Sequence, residues 1–142
     1  MKVICTGNAL SDLLLTPIHR EILNFQFGPR TKPAWQAEPG RTYTVYGIHF
    51  VRGFPFYWIE DGRDHWTRVP SVCFEIVDNR PSQLWRFDSF LYKYGREQVL
   101  ATRLVIAVVL EEPMFLENLV DYRPREVAMM REMAALMDAE FA

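Results

Sequence analysis

Apolar and polar positions change rhythm along this chain, and each change predicts an element. Lys2–Thr6 is short and rich in β-branched residues, and Gly7-Asn8 stops it, which predicts a strand. Ser11-Asp12 offers a capped turn, Pro17 opens a short helix and Gly28-Pro29 closes it. Prolines 29, 33 and 39 predict a loop up to Gly40. Arg41–Phe50 alternates as a strand does, but it slips phase. Tyr43 and Val45 share one face, and Ile48 and Phe50 share a face one residue out of step, with Gly47 at the slip. That pattern predicts a β-bulge, in which one extra residue returns the apolar positions to the core. Arg52-Gly53 and Asp61-Gly62 supply turns around a strand at Phe56–Glu60. His65–Val69 runs back, Pro70-Ser71 makes a corner, and Cys73–Val77 forms a further strand. Short strands starting roughly eight to twelve residues apart predict a small twisted barrel or sandwich.

After Asp78 the pattern is of another kind. Leu84, Trp85, Phe87, Phe90, Leu91 and Tyr92 fit neither a helical nor a strand period, so Ser82–Gly95 carries no assignment. Leu104–Leu110 reads LVIAVVL, with the branched content of a buried strand, and its periodicity alone does not separate that from a buried helix. Glu111-Glu112-Pro113 then opens a helix through Met114–Val120, with acids at its positive end. Pro124 opens a second helix to about Glu140, in which Val127, Met130, Ala134, Met137 and Phe141 recur at threes and fours.

The stretch from Val45 to Trp66 holds seven aromatic rings. With faces assigned through the bulge, Tyr43, Val45, Ile48, Phe50, Tyr57, Ile59, Val69, Phe74 and Ile76 point inward and suffice for a small barrel. Tyr46, His49, Phe56, Trp58, Trp66 and Arg68 point outward. Five rings on one outer face would be a large apolar patch, which a monomer rarely leaves bare. Either the Met- and Ala-rich face of Arg125–Phe141 lies across them, or part of the patch binds a partner, since Trp, Tyr and Arg are common anchors of interfaces. Tyr46, Phe56, Trp58, Trp66 and Arg68 are therefore the candidate partner contacts.

Composition narrows the chemistry. Of 142 residues 49% are hydrophobic and 14% aromatic, and the net charge is −2. Such a balance suits one globular domain over residues 1–142 and argues against broad capture of nucleic acid. A local patch of Arg63, Arg68, Arg80 and Arg86 beside Trp66 and Trp85 keeps single-strand binding as the alternative. Cys5 and Cys73 stand far apart with no Cys-x-x-Cys pair, and the N-terminal residues lack the apolar run of a secretory signal. Both point to reduced thiols and a cytoplasmic protein. No apolar stretch reaches the roughly 20 residues of a membrane span. His19, His49 and His65 have no metal-ligand spacing, and no phosphate-binding glycine motif or Gly-x-Ser-x-Gly is present. Hence no cofactor, metal or catalytic residue is assigned. Asp64-His65 are strand neighbours that would point opposite ways. Cys73 with His65 gives only a minor reading as a thiol hydrolase.

Two segments carry a resemblance. GRTYTVYGI at Gly40–Ile48 resembles the opening of small SH3-like barrel proteins of bacteria and phages. VPSVCFEIVD at Val69–Asp78 resembles the corner and last strand of SH3-type barrels, and the Glu60-Asp61-Gly62 turn fits the hairpin between. The Ala-Leu-Tyr-Asp-Tyr run and the paired tryptophans of proline-binding SH3 domains are missing, so that specificity is not implied. The expectation is an α+β, mainly β fold: an SH3-like barrel within residues 2–78, an extra strand, and two C-terminal helices packed on it. The function implied is non-enzymatic protein binding, as an inhibitor or immunity-type partner of another bacterial protein. A homodimer is left open.

Overall fold

The computed structural model describes residues 1–9, 13, 15–27 and 35–142, with 25–27, 92 and 94 described by their main chain. The predicted turn at Ser11-Asp12, the helix stop at Gly28-Pro29 and the loop at 30–34 lie outside these residues. Among the described residues eight strands and four α-helices follow one another. They are β1 (Lys2–Cys5), α1 (Pro17–Phe27), β2 (Thr42–Thr44), β3 (Gly47–Val51), β4 (Phe54–Glu60), β5 (Trp66–Pro70), β6 (Phe74–Asp78), β7 (Trp85–Tyr94), β8 (Glu97–Ile106), α2 (Ala107–Glu111), α3 (Phe115–Val120) and α4 (Pro124–Glu140). The class is α+β with strands predominating. All strand pairs are antiparallel, in a three-stranded sheet of order β2-β1-β6 and a five-stranded sheet of order β5-β4-β3-β8-β7. Neither sheet closes on itself among the described residues, which replaces the expected barrel by two layers.

The phase slip at Gly47 has a different cause from the one predicted. The chain does not bulge within one strand: it leaves the small sheet after Thr44 and joins the large one at Gly47. Two strands in two sheets need no common phase. Gly47 is required for a close approach, because a Cβ there would sit 3.0 Å from Val105 Cγ1 and 3.2 Å from the Leu104 carbonyl oxygen. Gly47→Ala should destabilise the chain by about 1–3 kcal/mol through overpacking, as read from urea unfolding midpoints. The turn to β4 follows the sequence signal. Arg52 and Gly53 take φ of 51° and 79°, the left-handed pair that a two-residue hairpin demands.

The second sheet switch is the Pro70 corner. Ser71–Cys73 forms one 3-10 turn, not the start of a strand, and delivers Phe74 to the small sheet. Between the sheets lie Val3, Tyr43, Tyr57, Ile59, Val69 and Phe74, all buried, with the rings of Tyr57 and Phe74 5.9 Å apart. These inward assignments stand. Ile76 is the exception, at 54% exposure, because β6 is the edge of its sheet.

The unassigned stretch is a hairpin: β7 and β8 pair from Trp85↔Ile106 to Tyr94↔Glu97. The predicted strand Leu104–Leu110 stops at Ile106, where the ladder's last partner is Trp85, and Ala107–Glu111 turns helical. A strand continuing past its partner would leave main-chain groups unpaired, whereas a helix pairs them internally. α4 keeps its predicted bounds, and Met130, Ala134, Met137 and Phe141 of its stripe are buried, with Val127 half-buried. Among the described residues no helix is long and apolar enough to cross a membrane.

Candidate binding groove

Strand alternation places Gly47 and His49 of β3, Phe56 and Trp58 of β4, and Trp66 and Arg68 of β5 on one face of the large sheet. The register confirms the set: Gly47↔Trp58↔Arg68, His49↔Phe56 and Glu60↔Trp66. This is the outward face of the sequence reading, and it is covered. Tyr46, Phe56, Trp58 and Trp66 keep only 8%, 1%, 8% and 4% of their surface, while Arg68 is half-buried. The cover comes from three helices, not from α4 alone. Val109 of α2, Leu116 and Leu119 of α3 and Met130 of α4 meet Trp58, Trp66 and Val105 around an apolar gap of only about 20 Å³. Tyr46 ties the cover down, its hydroxyl donating to Asp138 at 3.2 Å. Burial, and then the Asp138 charge, push that phenol well above its ordinary pKa.

The cover is incomplete on one side. Between β5 and α3 runs an open groove of about 500 Å³, floored by His49, Trp58, Trp66 and Arg68 and walled by Leu116, Glu117, Val120 and Asp121. Of the predicted contacts, Trp58, Trp66 and Arg68 come together here. Phe56 packs on Phe54 at 5.3 Å, and Tyr46 faces Asp138, so neither lines the groove. Arg68 stands 5.9 Å over the Trp58 ring, within range of a cation–π contact.

Three buried polar atoms of these floor residues, closed off from solvent, have no hydrogen-bond partner among the described residues: His49 Nε2, Trp58 Nε1 and Trp66 Nε1. Each such atom costs about 1–3 kcal/mol when closed off from water. Burial, with Arg68 and Arg103 adding their charges, depresses the His49 imidazole to about 3, so it is neutral at physiological pH. His65, at the groove's end, donates its Nδ1–H to Asp61 Oδ2 at 2.6 Å and stacks on Tyr122 at 6.0 Å. The sequence neighbours Asp64 and His65 do separate, since Asp64 pairs with Arg131 of α4. Asp61 was the partner that sequence reading missed; its only signal was a spacing of four residues across a glycine turn.

The other sequence candidates lie elsewhere. Trp85 is buried, its indole N–H donating to the Tyr46 carbonyl at 3.1 Å, and Trp66 lies under the helices, so neither is a surface platform beside the arginines. Arg80 is held by Asp78, and Arg86 bonds the carbonyls of Gln83 and Trp85. Cys73 is fully buried, and burial pushes its thiol up to about 12. Cys5 is buried too, and its thiol is also raised by burial. Ellman's reagent at pH 8 should label neither thiol in the native protein and both in urea, as followed by absorbance. Among the described residues no three His, Cys, Asp or Glu side chains gather as metal ligands.

Comparison with protein-family models, curated proteins and solved structures finds no match to this chain. The groove's chemistry therefore has to be read from its own residues.

Proposed function

We propose that this protein is a non-enzymatic binding module that takes a segment of a partner protein into the groove between β5 and α3. The observation that carries the reading is the open groove of about 500 Å³, with Trp58, Trp66 and Arg68 at its floor and Glu117 and Asp121 in its wall. The volume suits a few inserted side chains. Tryptophan and arginine at the centre with an acidic rim have the make-up of an interface anchor. A carboxylate or main-chain carbonyl of the guest fits beside Arg68 and His49, and a basic group fits near Glu117 and Asp121.

An inhibitor or immunity-type role among bacterial SH3-like proteins is the form this reading takes. What supports that kinship is the corner at Pro70–Cys73, where a 3-10 turn passes the chain from one sheet to the other. Two buried free thiols suit the reducing cytoplasm.

A photo-crosslinking residue at Val120 tests the proposal in the source cells, with one at Leu136 of α4 as control; both positions are about half exposed. The expected result is one crosslinked protein from Val120, none from Leu136, and loss of the product on Arg68→Ala. The purified partner should also shift the indole N–H resonances of Trp58 and Trp66. No product from Val120, or a partner that leaves both resonances in place, would refute the groove. Salt-dependent binding of a single-stranded oligonucleotide at the same resonances would transfer the site to nucleic acid.

A further inference from the structure

β7 forms one end of the large sheet, and among the described residues no main-chain group pairs with its outer edge beyond Trp85, whose N–H donates to the Ser82 carbonyl. Such an edge is a template for another strand, and chains usually blunt it with proline, a bulge or a cover. β7 has an unbroken ten-residue register with β8 and no proline. On the face of this hairpin opposite the groove, Phe87, Leu91 and Leu100 are 69%, 63% and 57% exposed, and Leu104 is half-buried. The register sets Phe87 beside Leu104 and Leu91 beside Leu100, with Ser89 and Thr102 between them.

This pattern is a palindrome about Ser89. We infer that β7 pairs antiparallel with β7 of a second copy, on a two-fold axis through Ser89, joining two five-stranded sheets into one of ten. The axis stands perpendicular to the sheet, so faces are preserved and opposed residues share parity. Phe87 then falls opposite Leu91 of the second copy. Each row across the join reads Leu104, Phe87, Leu91, Leu100, the first two from one copy and the last two from the other. The central row is Thr102, Ser89, Ser89, Thr102. Cross-strand apolar pairs of this kind are what stabilise a sheet.

The charges agree with this register and oppose its neighbours. Arg86 falls opposite Tyr92, Lys93 opposite Trp85, and Asp88 opposite Phe90, so no like charges face each other. Asp88 is already held by Arg103 of its own chain at 3.0 Å. An axis through Asp88 would set two aspartates face to face. An axis through Phe90 would set Phe87 against Lys93. The pattern thus selects a second copy of this chain over an unrelated strand, because the exposed Phe87 and Leu91 find each other in the same sequence.

Ser89→Cys tests the inference in the full-length chain. Opposed Cα atoms in an antiparallel pair lie about 4.5–5.5 Å apart, within disulfide reach. Both native thiols are buried and do not compete. Sedimentation of the wild type should give twice the 16.7 kDa chain mass. Mild oxidation of Ser89→Cys should then give a disulfide-linked dimer in near-complete yield. Lys93→Cys, about 27 Å from its copy in this register, should not crosslink. Phe87→Lys, at an exposed position that folding does not need, should give a folded monomer by circular dichroism and sedimentation. A wild type that sediments as a monomer at 100 μM overturns the proposal. So does a dimer in which Ser89→Cys fails to link or Lys93→Cys links as readily.

Discussion

Between pH 7 and pH 4 the wild-type protein should lose about 3 kcal/mol of stability that a His49→Leu variant keeps. His49 is 91% buried, and its imidazole is depressed from 6.5 to about 3 by burial, with Arg68 and Arg103 assisting. In the unfolded chain the same ring titrates near its ordinary value. Below 6.5 the unfolded chain therefore binds a proton that the native chain refuses until about pH 3. Unfolding is favoured by each step down in pH across that window, and the contribution is whole above 6.5. His65, Glu117 and Asp121 share the groove with His49 and are present in both proteins. The difference between variants isolates His49. At pH 7 the leucine should be neutral or mildly stabilising, since it removes an unpaired ring nitrogen. Urea unfolding of both proteins at pH 7, 5.5 and 4 measures this. Equal acid losses would show that the imidazole is not held neutral by burial.

The helical cover carries the other large effect. Removal of residues 125–142 should leave an aggregating or dye-binding chain, because it strips Met130 from beside Trp58 and Trp66 and takes Ala134, Met137 and Phe141 out of the core. Met137→Ala is the graded form of the same experiment. Met137 is fully buried, and deleting such a side chain costs about 2–5 kcal/mol. That is a large part of the 5–15 kcal/mol by which domains are ordinarily stable. Leu136→Ala, next to it but 53% exposed, should cost less than about 0.5 kcal/mol. Denaturant midpoints and binding of a hydrophobic dye distinguish the outcomes. A soluble truncated chain that binds no dye would show that the rings need no lid.

Patterning alone made several elements legible. Turn signals at Arg52-Gly53, the short apolar run Phe56–Ile59 between turns and the threes and fours of α4 depend on neighbours a few residues apart. Their outcome does not wait on the rest of the chain. The face assignment of Trp58, Trp66 and Arg68 belongs with them, because strand geometry allows no other. The β7–β8 hairpin was illegible for a related reason. Its outer end carries Phe87, Leu91 and Leu100 exposed and Val99 and Ala101 buried, so apolar residues occupy both faces and erase the period.

Local order along the chain thus determined most strands up to Asp78, the last helix, and which side chains of a strand share a face. Contacts distant in sequence decided the rest. The jump at Gly47 between two sheets, the helical turn at Ala107 and the meeting of Asp61 with His65 all depend on which segments lie alongside. The groove is of that kind as well. Its floor comes from β3, β4 and β5 and its wall from α3, some fifty residues further on, so only folding brings two indoles, an imidazole and a guanidinium under one helix. Periodicity reports the face a side chain takes, and packing alone sets what it faces.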